Sequence, residues 1–190
     1  MRITSGDFKG RTLKIPKSKN VRPTSEKVRQ AIFDVLGDFV QGKEVLDLFS
    51  GSGALGCEAL SRGAKGVTFV ENRRESVRII RENLVSLKLD KKCTILAQDV
   101  LTVGGILAKK NKKFQVILAD PPYRQDLAKK CLLEIVKYDI LNAPTIIIIE
   151  HYKKDELPQQ LGDIELWQLK KYGDTFVSFY QMRQSLSGQS

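Results

Sequence analysis

After residue 43, short apolar runs alternate with stretches in which apolar residues recur every three or four positions. The runs predict strands, and the periodic stretches predict helices. The predicted strands cover 44–49, 67–71, 93–97, 114–119 and 145–150, and the predicted helices cover 53–62, 74–88, 100–109 and 126–137. Strand–helix alternation forms right-handed crossovers, so the pattern predicts an α/β protein with a parallel sheet covered on both faces.

The C-terminal end departs from this alternation. Ile164–Leu169 and Thr175–Met182 are strand-like runs with no helix between them. The sequence Tyr172-Gly173-Asp174 is a turn signal between the two runs, which predicts an antiparallel hairpin at one side of the sheet. The small polar residues after the hairpin predict a flexible tail over 184–190.

The N-terminal end also differs from the rest of the chain. Turn signals around Gly6 and Gly10 predict a short β-hairpin followed by a basic loop. Thr24 or Ser25 then caps a helix that begins the main domain. The predicted division is a basic appendage over 1–22, a main domain over 23–183 and the tail over 184–190.

Positive charge is concentrated near the N-terminus. The whole chain of 190 residues has a net charge of +10, and residues 1–30 hold nine basic and two acidic side chains. Such a segment attracts polyanions and releases their counterions on binding. Charge alone leaves nucleic-acid binding and a solvated basic surface equally open.

The cysteines and the apolar runs indicate the cellular compartment in which the protein is expected. Cys57, Cys93 and Cys131 are far apart and form no Cys-x-x-Cys pair, which predicts small buried thiols in a reducing compartment. No secretion signal is evident, and the longest apolar run near the C-terminal half, Ile146–Ile149, is far shorter than the ~20 residues that span a bilayer. We expect a cytoplasmic protein, and the sequence contains no metal-ligand cluster.

A glycine-rich turn follows the first predicted strand. Gly51, Gly53 and Gly56 match G-x-G-x-x-G, and Glu71 ends the next predicted strand 20 residues after Gly51. Glycines let the backbone approach a ligand, a helix N-terminus presents unpaired N–H groups, and an acid at this spacing accepts ribose hydroxyls. The arrangement predicts an adenosine-containing cofactor, with an unliganded glycine turn as the alternative.

Two cofactors fit this loop, NAD(P) and S-adenosylmethionine. Asp47 lies at the strand end before the glycine turn, where its carboxylate would repel a pyrophosphate and attract an ammonium or sulfonium group. A chain of 190 residues also leaves little space for the substrate domain of a dehydrogenase. Both points favour S-adenosylmethionine. Asp99, after the third predicted strand, suits an adenine amino group or a helix N-cap equally well.

The fourth predicted strand ends in Asp120-Pro121-Pro122-Tyr123. Prolines fix the backbone and remove N–H donors, which leaves a rigid corner of acceptors beside an aromatic ring. Two acceptors on an exocyclic amine free its lone pair for attack, and the Tyr123 ring can stack on the base. A strand-ending turn without function is the alternative.

These motifs together resemble the class I S-adenosylmethionine-dependent methyltransferases. Within that class, the chain is similar to the RsmD-like small-subunit rRNA guanine-N2 methyltransferases of bacteria. The specific likeness lies in 6–13 and in 22–29 with Phe33, and the broader likeness lies in 47–53 and 120–123. The resemblance implies a Rossmann-like fold with a seven-stranded, mostly parallel sheet and an antiparallel end.

The resemblance also implies a reaction and a set of site residues. The reaction is methylation of the N2 amine of guanine 966 in 16S rRNA, in an assembling small subunit, by a monomeric enzyme. The catalytic residues implied are Asp120, Pro121, Pro122 and Tyr123. The residues implied for S-adenosylmethionine are Asp47, Phe49, Ser50, Gly51, Ser52, Gly53, Glu71, Asn72, Asp99 and Val100. The basic residues expected to contact RNA are Arg11, Lys14, Lys17, Lys19, Arg22, Lys27 and Arg29.

Several alternatives remain open. The tetrapeptide at 120–123 suits adenine N6 or a protein glutamine as well as guanine N2, and a non-catalytic RNA-binding assembly factor could keep the same fold. Pyrimidine C5 methylation is disfavoured because no cysteine adjoins a strand-end proline turn. The single histidine, His151, is expected at the surface or in a hairpin, and Trp167 and Phe176 are expected in the core of the C-terminal hairpin.

Overall fold

The computed structural model describes residues 1–16, 25–123 and 126–182. The helices are α1 (Glu26–Leu36), α2 (Ala54–Ser61), α3 (Arg74–Leu87), α4 (Val100–Lys109) and α5 (Leu127–Lys137), with short 3-10 helices at Gly37–Val40 and Asp90–Lys92. The strands are β1 (Glu44–Leu48), β2 (Gly66–Val70), β3 (Cys93–Leu96), β4 (Phe114–Ala119), β5 (Leu141–Tyr152), β6 (Gln160–Leu161), β7 (Ile164–Tyr172) and β8 (Thr175–Met182).

All the described strands belong to one sheet with the order β3-β2-β1-β4-β5-β8-β7-β6. The pairs among β1 to β5 are parallel, and the pairs among β5 to β8 are antiparallel. The strand order reverses between β1 and β4, because the chain runs outward through β2 and β3 before it returns. Ligands bind sheets of this type at the carboxyl ends of the strands next to such a reversal.

Helices cover both faces of the sheet. Apolar residues of α1, α2 and α3 form one buried cluster with one face, and those of α4 and α5 form a second cluster with the other face. The central parallel strands β1, β2 and β4 are therefore buried on both sides, which explains their continuous apolar runs. The predicted α/β architecture is confirmed, and the predicted strands and helices of the central region agree with the structure to within a few residues.

The sheet has one more strand than the seven that we expected. Gln160–Leu161 turns at Gly162, which has a φ of 57°, and pairs antiparallel with the start of β7. A strand of two residues contains too few positions to show the alternation that identifies longer strands. The prediction of an antiparallel hairpin formed by β7 and β8 is confirmed.

The N-terminal segment reverses direction as predicted, but it forms one antiparallel bridge, Arg2 with Thr12, instead of two strands. It is held against α2 by Glu58, a fully buried residue whose carboxyl accepts from the backbone N–H groups of Thr4 and Ser5 at 2.9 and 3.0 Å. Ile3 and Leu13 pack into the same cluster as α1 to α3. The division of the chain at residue 22 stays a prediction.

Three aromatic or imidazole side chains lie where we did not expect them. His151 is buried, with 3% exposed, because β5 continues past it and its Nε2 contacts the Ser178 hydroxyl on β8 at 2.9 Å. Trp167 is 47% exposed because it lies on the outer part of the hairpin, next to a register shift in the β7–β8 pairing. Phe176 is only half-buried. The prediction of buried thiols holds for Cys57 and Cys131, while Cys93 is half-buried.

In the described ranges, none of the helices combines the length and the apolar character needed to cross a membrane.

Candidate active site

A cavity of about 440 Å³ opens at the carboxyl ends of β1, β2, β4 and β5. This volume lies within the range of roughly 300–1,000 Å³ that is usual for small-molecule sites. Most of the predicted cofactor and catalytic residues line it: Asp47, Phe49, Ser50, Gly51, Ser52, Glu71, Asn72, Asp99, Asp120, Pro121, Pro122 and Tyr123. The predicted cofactor residues Gly53 and Val100 adjoin these residues along the chain but do not line the cavity.

The glycine loop owes its shape to backbone conformations that few residues adopt. Gly51 and Gly53 have φ values of 55° and 77°, and Gly53 is the N-cap of α2. Phe49 also has a positive φ, 56°, which is uncommon for an aromatic residue. The Ser50 hydroxyl donates to the Asp47 carbonyl at 2.6 Å and accepts from the Val70 N–H at 3.0 Å, so it ties the ends of β1 and β2 together.

Glu71 fixes the loop from the neighbouring strand. One carboxyl oxygen accepts from the Gly51 N–H at 2.9 Å and the other accepts from the Arg73 N–H at 2.8 Å. Each oxygen of a carboxylate accepts more than one hydrogen bond, so these contacts leave capacity for ribose hydroxyls. Glu71 is therefore part of the loop's framework as well as a candidate ligand-binding group.

Asp47 is a buried acid in the cavity wall. Its Oδ2 accepts from the Gly56 N–H at 2.9 Å, while its buried Oδ1 has no hydrogen-bond partner among the described residues. Burial raises the pKa of Asp47 to about 8, and the nearby Asp120 and Glu71 carboxyls add to this increase. A buried acceptor without a donor is costly, so this oxygen suits a cationic ligand group, such as the ammonium or sulfonium of S-adenosylmethionine.

Asp99 serves as the N-cap of α4. One oxygen accepts from the Leu101 N–H at 2.8 Å, and the other lies 3.4 Å from the Asn72 side-chain nitrogen. The capping role that we considered is therefore present, and the residue also faces the cavity. Asp99 and Asn72 lie together at the ends of β3 and β2, where they can hold the base of an adenosine.

The turn after β4 places Tyr123 in a defined position. Its hydroxyl donates to Glu150 at 3.2 Å and lies 2.6 Å from the Thr175 hydroxyl. Its ring packs against Tyr152, with 5.8 Å between ring centroids and an interplanar angle of 38°. Burial raises the pKa of Tyr123 to about 12, so the phenol stays protonated at neutral pH. The ring is held at the cavity wall beside Asp120, Pro121 and Pro122.

Sequence reasoning missed two groups that connect the site to its surroundings. Glu150 is 6% exposed, lines the cavity and contacts Tyr123. Its signal was present, because it is an acid that directly follows an apolar run, as Asp120 is. Asn83 is 1% exposed, and its side-chain amide donates to the carbonyls of Ser52 and Lys14 at 2.9 and 3.0 Å. It links the glycine loop to the N-terminal segment, and no local pattern in α3 indicated this.

The predicted RNA-contacting residues separate into distinct groups. Arg29 is fully buried, and its Nε lies 3.4 Å from the Glu58 carboxyl, so the prediction that it contacts RNA is wrong. It was misassigned because its basic neighbours conceal that it lies on the buried face of α1. Arg11 donates to the Ser86 carbonyl at 2.9 Å, and exposed Lys14 pairs with Glu82 at 2.8 Å. The remaining predictions, Lys17, Lys19 and Arg22, lie outside the described residues.

Lys27 is exposed and belongs to a second cavity of about 350 Å³. This cavity adjoins the first at Glu150, which lines both. It is polar and basic, with Lys171 opposite α1. Its lining residues are Ser25, Lys27, Val28, Glu150, Lys171, Tyr172, Gly173 and Thr175.

Comparison with known sequences gives matches over nearly the whole chain. A family model described as "Conserved hypothetical protein 95" matches residues 1–181. The chain is 37% identical over 183 residues to "Putative rRNA methyltransferase YlbH" of Bacillus subtilis, a match that covers 96% of this chain and 100% of that protein. It is 31% identical over 181 residues to "Ribosomal RNA small subunit methyltransferase D" of Escherichia coli, covering 95% and 89% of the two chains.

Comparison with solved structures agrees with these matches. "Putative methyltransferase yhhF from Escherichia coli" superposes with a TM-score of 0.82 at 30% identity, over 96% of this chain and 97% of that one. A putative methylase from Haemophilus influenzae superposes with a TM-score of 0.80, also at 30% identity, over 96% and 98% of the two chains. The sheet order, the glycine loop and the full-length matches agree, and the chain belongs to the RsmD-like methyltransferase family.

Proposed function

We propose that this protein transfers a methyl group from S-adenosylmethionine to the N2 amine of guanine 966 in 16S rRNA. The observation that supports the proposal is a single cavity lined by two sets of groups. One set is the acids around the glycine loop, Asp47, Glu71 and Asp99, and the other is the Asp120–Tyr123 turn. A methyl donor and an amine acceptor can therefore meet inside one enclosed site. The ribosomal target follows from the names of the relatives that match over most of the chain.

The cofactor side of the cavity contains the groups that this ligand needs. Asp47 offers a buried oxygen to a cationic group, Glu71 offers acceptors to the ribose, and Asp99 with Asn72 lies at the end of β3 beside the expected base. When bound, S-adenosylmethionine supplies a methyl group made electrophilic by its sulfonium. Asp47, Glu71 and the glycine loop would hold the cofactor in the cavity whose opposite wall is the turn after β4.

The acceptor side of the cavity orients the amine. The Asp120 carboxyl and the backbone carbonyls of the proline turn accept from the two N–H groups of the amine, which localises its lone pair on nitrogen. The Tyr123 ring holds the base plane, since its hydroxyl is anchored to Glu150 and Thr175. Positioning contributes most of the rate acceleration in such a transfer. The N–C bond would form as the S–C bond of the sulfonium breaks, which would leave neutral S-adenosylhomocysteine, and the amine's surplus proton would pass to the Asp120 carboxylate.

The RNA is held outside the cavity. Lys27 and Lys171 border the second cavity beside Glu150, where RNA phosphates next to an unstacked target base can bind. We also propose Arg11, Lys14, Lys17, Lys19 and Arg22 as RNA contacts, on the basis of their charge. We further propose that the substrate is an assembling small subunit and that the enzyme acts in the cytoplasm as a monomer.

The test measures methyl transfer and cofactor binding on the same variants. Small subunits from a strain that lacks this gene are incubated with labelled S-adenosylmethionine and wild type, Asp120→Ala or Asp163→Ala. Asp163 is an exposed turn residue and serves as the matched control. We expect Asp120→Ala to lose at least about 100-fold in kcat, the usual scale for a group that acts in the transition state, with little change in cofactor Kd. Equal rates for wild type and Asp120→Ala would refute the assigned role. Cofactor binding without transfer by wild type would favour a non-catalytic assembly factor.

A further inference from the structure

The Watson–Crick edges of guanine and adenine differ beside the reactive amine. In guanine the N2 amine adjoins N1–H, which is a donor. In adenine the N6 amine adjoins an unprotonated N1, which is an acceptor. An amine-binding corner alone cannot distinguish the two bases, because both present an N–H₂ group. One more acceptor beside the corner, where the neighbouring ring position lies, would make the site selective for guanine.

Glu150 occupies such a place by strand register. β4 and β5 are parallel, and Ala119 on β4 is paired with Ile149 on β5. Glu150 is the next residue of β5 and Asp120 is the first residue after β4, so each directly follows a member of this pair on strands that run roughly 4.8 Å apart in a sheet. Both residues line the larger cavity.

The Glu150 side chain is also fixed in position. Its Oε1 accepts from the Tyr123 hydroxyl at 3.2 Å, and the same hydroxyl lies 2.6 Å from the Thr175 hydroxyl. Glu150 is 6% exposed, so few other positions are open to its carboxyl group. The ring expected to stack on the base and the acid expected to contact its edge are thus held by one hydrogen-bond network.

The other acids of the cavity have different surroundings. Asp47 lies near the end of β1, Glu71 and Asp99 follow β2 and β3, and each accepts from backbone N–H groups around the cofactor side. Of the carboxyl groups that the described residues contribute to this cavity, Glu150 is the one that directly follows a residue paired with Ala119, which precedes Asp120.

We propose that Glu150 is a specificity-determining residue that accepts a hydrogen bond from N1–H of the target guanine while Asp120 holds its N2 amine. The inference rests on the proposed function. It adds that an acceptor at Glu150 selects guanine and rejects adenine, whose N1 lone pair would face a carboxyl oxygen.

The first test removes the N1–H donor from the substrate. Small subunits are reconstituted with ligated 16S rRNA that carries guanosine or 2-aminopurine riboside at the target position. The 2-aminopurine base keeps the amine at C2, has an unprotonated N1 and lacks O6, so the Glu150 variants described below assign the N1–H contact to this residue. Wild type should show kcat/KM on the order of 100-fold lower for 2-aminopurine, which is the discrimination expected from one well-placed base contact. Equal kcat/KM on the two bases would overturn the proposal without any variant.

Glu150→Gln then tests the residue itself. The amide keeps an oxygen for Tyr123 and presents an N–H₂ where the second carboxyl oxygen was. The kcat/KM for guanosine should fall about 100-fold, while that for 2-aminopurine should stay constant or rise. Glu150→Asp keeps the acidic group but retracts it, so it should lower only the guanosine value, by about tenfold. Glu156→Gln, an exposed site on the following loop, should change neither.

The outcomes distinguish failure of the Glu150 proposal from failure of the proposed function. Equal losses on both bases in Glu150→Gln, with cofactor Kd unchanged, would mean that Glu150 only supports the fold of the site, and would overturn the proposal. If wild type transfers no methyl group to guanosine, the proposed function itself is refuted. Transfer to an adenine would contradict both.

Discussion

The Glu71 carboxyl and the Gly51 N–H, 20 positions apart in the chain, are joined by a hydrogen bond of 2.9 Å. This contact connects the end of β2 to the glycine loop after β1. The acid that we expected to bind the ribose therefore also keeps the loop in its ligand-binding shape.

The first prediction follows from this double role. Glu71→Gln replaces one acceptor oxygen by a donor that faces a backbone N–H. We expect the Kd for S-adenosylmethionine to rise by about 10- to 100-fold, which corresponds to roughly 1.4–2.7 kcal/mol. Isothermal titration calorimetry measures this Kd, and Glu156→Gln, which removes the same charge from an exposed site, is the control. An unchanged Kd in Glu71→Gln would mean that Glu71 does not contribute to cofactor binding.

The second prediction concerns the pH dependence of cofactor binding. Burial raises the pKa of Asp47 from 3.8 to about 8, so without a ligand the group is mostly neutral at pH 7. A cationic ligand favours the carboxylate and lowers this pKa, so binding releases a proton from Asp47. Affinity should therefore rise by up to about tenfold per pH unit below 8 and level off above it.

Asp47→Asn is the reference for this measurement. The amine of the free cofactor titrates equally in both experiments, so the difference between the two pH profiles reports Asp47 and its interaction with the bound cationic group. Calorimetry in buffers of different ionisation enthalpy counts the released proton directly. Identical pH profiles for wild type and Asp47→Asn would contradict the assignment of a cationic group to this oxygen.

The third prediction separates two basic residues of α1. Arg29 is fully buried against Glu58, whereas Lys27 is exposed at the second cavity. Arg29→Ala should lower the free energy of unfolding by about 3–5 kcal/mol, because it removes a fully buried side chain and one of the two guanidinium groups that pair with buried Glu58, the other being that of Arg62. Lys27→Ala should change it by less than about 0.5 kcal/mol.

The two substitutions should have the opposite order of effects on RNA affinity. Lys27→Ala should weaken RNA binding and reduce the dependence of log K on log salt by about 0.7–0.9, the contribution of one phosphate contact. Urea unfolding and filter binding at several salt concentrations make the two measurements. A stable Arg29→Ala with weakened RNA binding would mean that our correction of the Arg29 prediction is itself wrong.

The fourth prediction compares two helical glycines. A Cβ on Gly56 would lie 2.3 Å from the Phe69 ring, so α2 could no longer pack as closely on β2. Gly56→Ala should destabilise the protein by about 1–3 kcal/mol through overpacking. On α4, a Cβ on Gly105 would make only an ordinary contact with Tyr138, at 3.5 Å. Gly105→Ala should stabilise by about 0.4–1 kcal/mol. Thermal and urea unfolding measure both variants, and equal effects would contradict the packing described here.

Local patterns were sufficient for much of the fold and for the center of the site. Three local patterns each indicated part of the site within a few residues. They are the apolar run that contains Asp47, the glycines after that run, and the apolar run followed by Asp120. Parallel strands bring their carboxyl ends to one edge, so these separate signals predicted a common site. The β7–β8 hairpin was predictable for the same reason, since its turn lies at Gly173.

The features that sequence reasoning missed depend on tertiary contacts. Arg29 is basic like its neighbours, and only its partner Glu58, 29 positions away, shows that it is buried. Asn83 has an ordinary sequence context, and its role arises because the N-terminal segment crosses α3 there. His151 is buried because β8 pairs beside it. Register between strands, which brings Glu150 beside Asp120, is likewise set by packing across the sheet.

The most direct test of the central claim identifies the methylated nucleoside. Small subunits from a strain lacking this gene are treated with the wild-type protein and S-adenosylmethionine, and the 16S rRNA is digested and analysed by mass spectrometry. We predict one new N2-methylguanosine, in the fragment that contains guanine 966. N6-methyladenosine, or a methyl group found on protein, would contradict the proposed target.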